Sequence, residues 1–316
     1  MPIVELQQVS KAYDTKVAVE NLSFKIEPGS MFGLLGPNGS GKTSSIRMMI
    51  GITVPDSGSV RLFGQPFDRK HLHRVGYLPE ERGLYKKMKV IDQLSFLGQL
   101  HRLDATTATK RAYAWCEKLE IIEAVHKKTE ELSKGMQQKI QFISALLHEP
   151  ELIIMDEPFS GLDPVNATLL QDTLVDLRQQ GRTILFSTHR MDQVEKLCDA
   201  ICLIHNGHLV LSGGMREIKS KYPANRVHMI FTGDDSFLNH PSIESVKNYQ
   251  GIAEIKLREG ADAQALLAEA VTKARITRFE VMEPTLEEIF IEKVTAESNK
   301  EATESNGFVA GDRVNA

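Results

Sequence analysis

No apolar run in the sequence is long enough to cross a membrane. The longest uninterrupted apolar stretches are of the size of 152–155 and 200–204, whereas a membrane-spanning helix needs about 18 uncharged apolar residues. The first six residues alternate between apolar and polar and supply neither the basic segment nor the apolar core of a secretion signal. We therefore expect a cytosolic chain that does not cross the bilayer itself.

Cysteine is also scarce, with only Cys116, Cys198 and Cys202 in 316 residues. An odd number of cysteines in a long chain argues against a disulfide framework. The spacing of Cys198 and Cys202 lacks the second ligand pair that would complete a structural zinc site. We expect all three cysteines to be reduced, buried thiols.

The chain has no excess of positive charge. Its 38 Lys and Arg residues stand against 42 Asp and Glu residues, for a net charge of -4. This balance argues against a protein that mainly neutralises nucleic-acid phosphates, and we expect no nucleic-acid partner. The 41% apolar and 25% charged residues exclude a collagen, a coiled coil or a disordered chain. The length corresponds to about two domains of roughly 150 residues each.

Two kinds of strand pattern predict an α/β fold. Residues 21–27 alternate strictly between polar and apolar, as in a strand with one wet face. Short continuous apolar runs at 152–155, 184–186 and 201–204 are separated by helix-length segments, as in strands buried on both faces of a parallel sheet. We predict a parallel-sheet core that begins with an antiparallel piece. A helical pattern at about 88–146 predicts an inserted helical subdomain.

From about residue 223 the pattern becomes that of a small α+β domain. The predicted order is strand, short helix, strand, strand, helix and strand, as in a ferredoxin-like sandwich. A closing helix begins with Thr285 and Glu288 at capping-box spacing. We predict an accessory domain at 223–294 that carries no nucleophile, metal or phosphate pattern. Residues 295–316 have too few apolar groups to offset the entropy of ordering, so we expect a loose, disordered tail there.

One loop matches the phosphate-binding pattern G-x-x-x-x-G-K-T, between an apolar stretch and a helical stretch. It consists of Gly36, Pro37, Asn38, Gly39, Ser40, Gly41, Lys42 and Thr43. Glycines let backbone N–H groups turn inward around phosphate oxygens, and the following helix adds partial positive charge. We predict that Lys42 reaches the terminal phosphates, that the Thr43 hydroxyl binds Mg²⁺, and that Ser44 also belongs to the nucleotide site.

Two acids and a histidine follow predicted buried strands. Asp156 and Glu157 end one strand, where an Asp can hold Mg²⁺ and a Glu can polarise the attacking water during nucleotide hydrolysis. His189 follows another strand and so reaches the same carboxyl edge, where open α/β sheets bind ligands. We predict Asp156 as a metal ligand, and Glu157 and His189 as catalytic residues at the terminal phosphate.

Five elements in this order resemble the ATP-binding subunits of ATP-binding cassette (ABC) transporters. Besides the phosphate loop and the acid-ended strand, residues 132–139 resemble the family's signature segment and residues 160–163 resemble its D-loop. His189 matches its switch histidine, and Tyr13 falls where the family stacks an aromatic ring on adenine. The resemblance implies ATP and Mg²⁺ as cofactors and a P-loop cassette over 1–222, built from a parallel-sheet core, an antiparallel subsheet and a helical subdomain.

The resemblance also implies partners. In the family two cassettes pair head to tail, so Ser133 and Gly135 of one copy would seal ATP that is bound to Lys42 of the other. Asp163, in the D-loop, would belong to the same site. The second cassette would be another copy of this chain or a related one. A separate transmembrane permease would hold the chain at the cytoplasmic face of the cell membrane and would contact the transported substrate.

Two places depart from the family pattern. Glu80 stands where the family usually has Gln; a carboxylate still offers oxygens to Mg²⁺, but its charge changes the metal site. Lys134 and Met136 replace residues that are usual in the signature segment, whereas Ser133 and the Gly135 N–H group are retained. Both variations resemble those of a bacterial subgroup with a small C-terminal domain, which includes sodium-extruding and drug-exporting systems.

We therefore predict an ATP-hydrolysing subunit of an exporter for sodium ion, a drug or a similar substrate. The alternative is a soluble ABC-type ATPase that acts on ribosomes or DNA. Such proteins typically resemble two cassettes in one chain or carry long coiled-coil arms, whereas this sequence has one phosphate loop and no basic tract. A nucleotide-binding regulator with negligible turnover is a third alternative, against which Glu157 and His189 argue.

Overall fold

A computed structural model describes residues 1–81, 83–222 and 225–295. The chain divides into two units, Met1–Met215 and Arg216–Ala316, whereas the sequence pattern placed the boundary near residue 223. The predicted tail lies outside the described residues, apart from its first residue. Among the described residues, no helix combines the length and the hydropathy that a bilayer span requires.

The first unit contains two β-sheets and most of the helices. Its strands are β1 (Val4–Tyr13), β2 (Lys16–Ile26), β3 (Met31–Leu35), β4 (Ser57–Leu62), β5 (Gln65–Pro66), β6 (Val75–Leu78), β7 (Leu152–Asp156), β8 (Thr183–Thr188), β9 (Ala200–His205) and β10 (His208–Gly214). Its helices are α1 (Lys42–Met49), α2 (Val90–Leu100), α3 (Ala105–Lys118), α4 (Lys134–Leu146), α5 (Pro164–Gln179) and α6 (Met191–Leu197). Helix α7 (Met215–Ser220) spans the division between the units.

The central sheet has the strand order β10-β9-β3-β8-β7-β6 and is parallel except for β10. Every residue of β3, β7 and β8 is buried, because helices cover both faces of a parallel sheet. This confirms the α/β core that the apolar runs predicted. Since β3, β8 and β7 are neighbours, their carboxyl ends lie side by side at one edge.

The antiparallel piece is a separate sheet of order β2-β1-β4-β5. The alternation predicted at 21–27 falls in the second half of β2, and its apolar residues Leu22, Phe24 and Ile26 are buried. They belong to a hydrophobic cluster shared with β1, β4 and α1. The α2, α3 and α4 helices occupy the region predicted to be helical, and short 3₁₀ turns at Ile122–Ala124 and Thr129–Glu131 connect α3 to α4.

The second unit is a four-stranded sheet with one helix-covered face. Its strands are β11 (Arg226–Gly233), β12 (Ile243–Tyr249), β13 (Ile252–Leu257) and β14 (Ala274–Met282), and its helices are α8 (Ala263–Lys273) and α9 (286–295). The order β12-β13-β11-β14 is that of the predicted ferredoxin-like sandwich, with a 3₁₀ turn in place of the first helix. The predicted capping box is present, because Thr285 Oγ1 accepts from Glu288 N at 3.3 Å and Glu288 Oε2 accepts from Thr285 N at 3.0 Å.

A stacked histidine pair in the first unit makes stability depend on pH. The rings of His101 and His148 lie 3.8 Å apart, and His148 Nε2 donates to Val75 O at 3.0 Å. Burial, together with the positive charge of the neighbouring His101 and Arg111, lowers the pKa of His148 to about 4. As the pH falls from about 6.5 to about 4, the unfolded chain gains a proton there that the folded chain does not.

We therefore expect the free energy of unfolding to decrease over this window, with a slope approaching about 1.4 kcal/mol per pH unit from His148. Urea unfolding at pH 7 and pH 5 measures the change. The His148→Gln variant should lose most of this slope. An equal slope in both proteins would assign the pH dependence to other groups.

Candidate nucleotide site

The predicted phosphate loop connects β3 to α1 through a backbone that only glycine adopts easily. Gly36 has φ +150°, and a Cβ there would lie 2.5 Å from Ser40 Oγ. Gly41 has φ +112°, and a Cβ there would lie 2.5 Å from the Ala18 carbonyl oxygen. These positions turn the loop around its own interior. Helix α1 then begins at Lys42, so its N-terminal N–H groups face the loop, as in an anion-binding site.

Lys42 lies inside the loop, and its side chain is 6% exposed. Its Nζ donates to Gly36 O at 2.8 Å and to Pro37 O at 3.1 Å. Burial lowers the pKa of Lys42, whereas the carboxylates of Glu157, Asp156 and Glu80 act in the opposite direction. The ammonium is therefore held within reach of both the loop and the acids.

Asp156 ends β7, and only one of its two carboxylate oxygens accepts a hydrogen bond from a described residue. Its Oδ1 accepts a short hydrogen bond from Ser187 Oγ at the end of β8. Its Oδ2 is buried and has no hydrogen-bond partner among the described residues. A buried carboxylate oxygen without a donor is costly unless it meets a cation. The residue therefore fits the predicted role of a metal ligand.

Glu157 and His189 form a contact at the same edge. Glu157 has φ +49°, an unusual conformation for a residue other than glycine. Ser187 fixes this turn, because Glu157 N donates to its Oγ at 3.1 Å and to its carbonyl oxygen at 3.2 Å. Glu157 Oε1 lies 3.0 Å from His189 Nδ1 and 3.9 Å from Lys42 Nζ. The glutamate thus lies between the histidine and the phosphate loop.

Lys42, Asp156 and Glu157 line one open cleft of about 460 Å³. Its lining is Tyr13, Lys16, Ala18, Asn38, Gly39, Gly41, Lys42, Thr43, Ser44, Glu80, Asp156 and Glu157. Tyr13 is 40% exposed, with Lys11 Nζ 5.8 Å from its ring centroid, so its ring is accessible for stacking. The cleft therefore brings together the predicted aromatic, phosphate-loop and metal residues.

The structure adds four residues that sequence reasoning missed. Lys16 and Ala18 line the cleft, and Ser187 holds both acids. Gln141 Nε2, on α4, donates to Pro79 O at 2.8 Å and to Glu81 O at 3.2 Å, which fixes the segment that carries Glu80. None of the four matches a local motif, so only the tertiary contacts reveal them.

Seven predicted site residues do not line this cleft. Gly36, Pro37 and Ser40 belong to the phosphate loop and His189 contacts Glu157, whereas Ser133, Gly135 and Asp163 lie at other helix ends. Ser133 caps α4, since its Oγ accepts from Met136 N at 3.2 Å. Asp163 caps α5, since its Oδ1 accepts from Asn166 N at 3.0 Å, and this backbone hydrogen bond is the leading cause of its lowered pKa. A Cβ at Gly135 would make only ordinary contacts. Within one copy these residues shape two helix N-termini, and their contact with a nucleotide stays a prediction.

The loop, the acid-ended strand and the parallel sheet define a P-loop nucleoside-triphosphate-binding protein. The sequence model of the ABC transporter family matches residues 19–160. A second model, the C-terminal domain of DrrA1-3-like ATP-binding proteins, matches residues 213–294. An uncharacterized ABC transporter ATP-binding protein of Bacillus subtilis, YhaQ, is 43% identical over 93% of this chain and 99% of its own length. The chain belongs to the ABC transporter ATP-binding proteins, whose cassettes bind ATP.

Other relatives agree with this assignment. The linearmycin resistance ATP-binding protein LnrL of Bacillus subtilis is 31% identical, over 92% of this chain and 97% of its own. The Nod factor export ATP-binding protein I of Burkholderia pseudomallei is 38% identical, over 67% of this chain and 71% of its own. The solved structure of an ATP-binding subunit of an ABC transporter matches with TM-score 0.64 and 28% identity, over 69% of this chain and 92% of that one.

Proposed function

We propose that this chain hydrolyses ATP to drive an exporter whose membrane-spanning part is a separate permease. The observation that carries the proposal is the convergence of Lys42, Asp156 and Glu157 on one cleft, with His189 in contact with Glu157. A site that only bound nucleotide would need the loop and the lysine. The glutamate and histidine beside them add what hydrolysis requires, a group that orients water and accepts its proton.

Each residue has a defined task in this proposal. The loop N–H groups and Lys42 would hold the phosphates, and Tyr13 would stack on adenine. Thr43, Asp156 and Glu80 would hold Mg²⁺, which neutralises phosphate charge when bound. Within the described residues no three His, Cys, Asp or Glu side chains converge as a metal site on their own. That is typical of Mg²⁺, which usually takes one or two carboxylates together with waters and substrate phosphates.

Glu157 is the proposed general base, and His189 keeps it in place. The 3.0 Å contact between His189 Nδ1 and Glu157 Oε1 would leave Oε2 for the attacking water. The backbone hydrogen bonds of Glu157 to Ser187 would fix the turn from which the carboxylate projects. Glu157 would take the proton of the water as the water attacks the terminal phosphate.

A second cassette would complete the site. Ser133, Gly135 and Asp163 lie at the N-termini of α4 and α5, and helix N-termini favour phosphate oxygens. In a head-to-tail pair, the N-terminus of α4 of one copy would close over the ATP of the other. Binding would thus favour the closed pair, hydrolysis would open it, and α2–α4 would transmit the movement to the permease.

Export is supported by the names of two relatives, one for linearmycin resistance and one for Nod factor export. The subgroup resemblance points in the same direction, toward a small ion or a drug-like substrate. The chain would then bind the cytoplasmic face of the cell membrane through its permease.

Copurification tests the proposal. The tagged chain is extracted from membranes of its native host in mild detergent, and its partners are identified by mass spectrometry. A multi-spanning membrane protein in a ratio near one to one is expected. Ribosomal proteins or a DNA-processing complex without any membrane partner would contradict the transporter assignment and support the soluble alternative.

The Glu80→Gln variant tests the proposed metal site. The exposed Glu80 lines the cleft beside Asp156, so removing its charge should weaken Mg²⁺ binding while an amide oxygen remains. We expect about fivefold more Mg²⁺ for half-maximal ATPase activity, corresponding to about 1 kcal/mol at a solvated site. Glu81→Gln, at a position that does not line the cleft, is the control. Equal Mg²⁺ dependence in the two variants would remove Glu80 from the metal site.

A further inference from the structure

Among the described residues, helix α8 packs on one face of the accessory sheet and no helix lies across the other. Alternate residues of β11 and β13 point to the core and are buried, with Val227, Met229 and Ile255 among them. The residues between them point to the opposite face, which we call the open face. Helix α9 borders the open face at one end, where Arg226 Nη1 lies 2.5 Å from Glu288 Oε1.

The strand register arranges the open face in rows. In the middle row Lys247 pairs with Glu254, Glu254 with His228, and His228 with Glu280. The row thus begins with a cation on the edge strand β12 and ends with an anion on the edge strand β14. Lys247, Glu254 and Glu280 are exposed.

The adjacent row also carries different, complementary groups at its two ends. Tyr249 pairs with Ile252, Ile252 with Ile230, and Ile230 with Arg278. It places an aromatic ring at one edge, two isoleucines in the centre and a guanidinium at the other edge. Tyr249 is 62% exposed and Ile252 is 43% exposed.

We infer that the open face binds the open face of a second copy of this chain about a two-fold axis parallel to the strands. Rotation about such an axis places each row opposite the same row of the second copy, with the order of its residues reversed. Lys247 then faces Glu280 of the partner subunit, and Glu254 faces His228 of the partner subunit. Ile252 faces Ile230 of the partner subunit, and Tyr249 faces Arg278 of the partner subunit, a cation–π pair.

An axis that is perpendicular to the strands and passes through the middle row fails on charge. It would place Lys247 and Glu280 each against the same residue of the partner subunit, and like charges in contact are unfavourable. An axis along the strands also matches the aligned packing of stacked sheets, whose strand directions differ by about 30°. The open face is thus complementary to itself about an axis parallel to the strands, as an isologous contact requires.

The row next to α9 is not part of the proposed contact. There the same axis places Lys256 opposite Arg226 of the partner subunit. Two cations opposite each other are unfavourable. Each has an acidic partner in its own chain, Glu244 for Lys256 and Glu288 for Arg226, just as Arg278 and Glu280 of the other two rows pair with each other. We therefore assign the contact to the other two rows.

The size of the face fits an auxiliary contact. The four strands span roughly 19 Å across the sheet. Two rows of that width bury a smaller area than the roughly 800 Å² that each partner buries in a standard interface. The inference therefore rests on the pairing of two copies proposed above, which would raise the effective concentration of one open face near the other. Its effect would be to keep the two copies together while the cassettes open.

Cysteine cross-linking tests the contact directly. Lys247 and Glu280 lie on opposite edge strands, roughly 14 Å apart within one copy, which is too far for a disulfide. The three native cysteines are buried. The K247C/E280C double variant should therefore form a covalent dimer on mild oxidation. The control S245C/R278C uses the same two strands but does not place its positions opposite each other, and it should stay monomeric on a non-reducing gel.

Charge reversal gives a second readout. K247E alone should lower the dimer association constant about fivefold, because each dimer loses two exposed ion pairs. E280K should lower it at least as much, because it also removes the ion pair of Glu280 with Arg278 within each copy. The double variant K247E/E280K should restore it. Within one copy these residues are too far apart to compensate each other. Equal cross-linking in the test and control pairs, no cross-linking at all, or no rescue by the double variant would overturn the inference.

The same proteins separate this inference from the proposed function. In the Glu157→Gln background, gel filtration with ATP reports pairing of the cassettes. An ATP-dependent dimer without the specific cross-link refutes the open-face contact alone. A specific cross-link without an ATP-dependent dimer supports the open-face contact and refutes the proposed pairing across ATP.

Discussion

Replacing Glu157 by Gln is expected to lower kcat for ATP hydrolysis about a thousandfold, the typical contribution of a positioned general base. The amide retains the shape and one acceptor oxygen of the carboxylate but cannot take a proton from water. Because Lys42 and the loop are unchanged, the affinity for ATP should stay within about threefold of the parent. Phosphate release measures kcat, and calorimetry measures ATP binding.

The variant should also remain paired. If ATP stabilises the closed pair of cassettes and hydrolysis opens it, blocking hydrolysis leaves a dimer that gel filtration detects only when ATP is present. Glu130→Gln, at an exposed glutamate outside the cleft, is the control and should behave as the parent. Wild-type turnover in Glu157→Gln would refute the assignment of the base. Slow turnover without a dimer would retain the base and refute pairing.

The parts of the site that the sequence predicted are those encoded in short segments. The loop from Gly36 to Thr43 carries its own turn-forming glycines. Asp156 and Glu157 directly follow a run of buried residues whose apolar character marks the strand. His189 required one more step, the rule that neighbouring parallel strands end at the same edge. Local patterns and sheet geometry were enough in these cases.

The parts that could not be predicted depend on contacts between distant segments. Ser187 supports both acids only because β8 lies beside β7. Gln141 fixes the segment around Glu80 across 60 residues of sequence, as its hydrogen bond to Glu81 O shows. In the accessory unit the order of elements was predictable. The register that aligns Lys247 with Glu280 was not, because a bulge near Ile243 shifts the pairing of β12 with β13.

Ser133, Gly135 and Asp163 illustrate a different limit. A residue at a helix N-terminus can be explained by the helix alone, and Ser133 and Asp163 do make the hydrogen bonds expected of caps. The resemblance assigns all three to a nucleotide bound by another copy, which a single chain does not test. Pairing of the cassettes therefore decides whether these helix ends also have a role in catalysis.

Replacing Lys42 by Ala is expected to raise the Kd for ATP about a hundredfold, or about 2.7 kcal/mol. The Lys42 ammonium is buried beside the loop carbonyls and the acids, so no other cation can take its place within the loop. Its loss leaves Asp156 and Glu157 facing the phosphates without their nearest positive charge, and like-charge repulsion then adds to the lost attraction. Lys16→Ala is the control, because Lys16 lines the cleft but is exposed.

Calorimetry with ATP and Mg²⁺ measures both variants, and thermal unfolding without nucleotide tests whether each is folded. We expect Lys16→Ala to change the Kd by no more than about fivefold, since an exposed charge in water contributes about 1 kcal/mol or less. A folded Lys42→Ala protein that binds ATP as the parent does would refute the assignment of the phosphate loop. Because every other task at this cleft depends on phosphates held there, the proposed roles of Glu157 and His189 would be refuted with it.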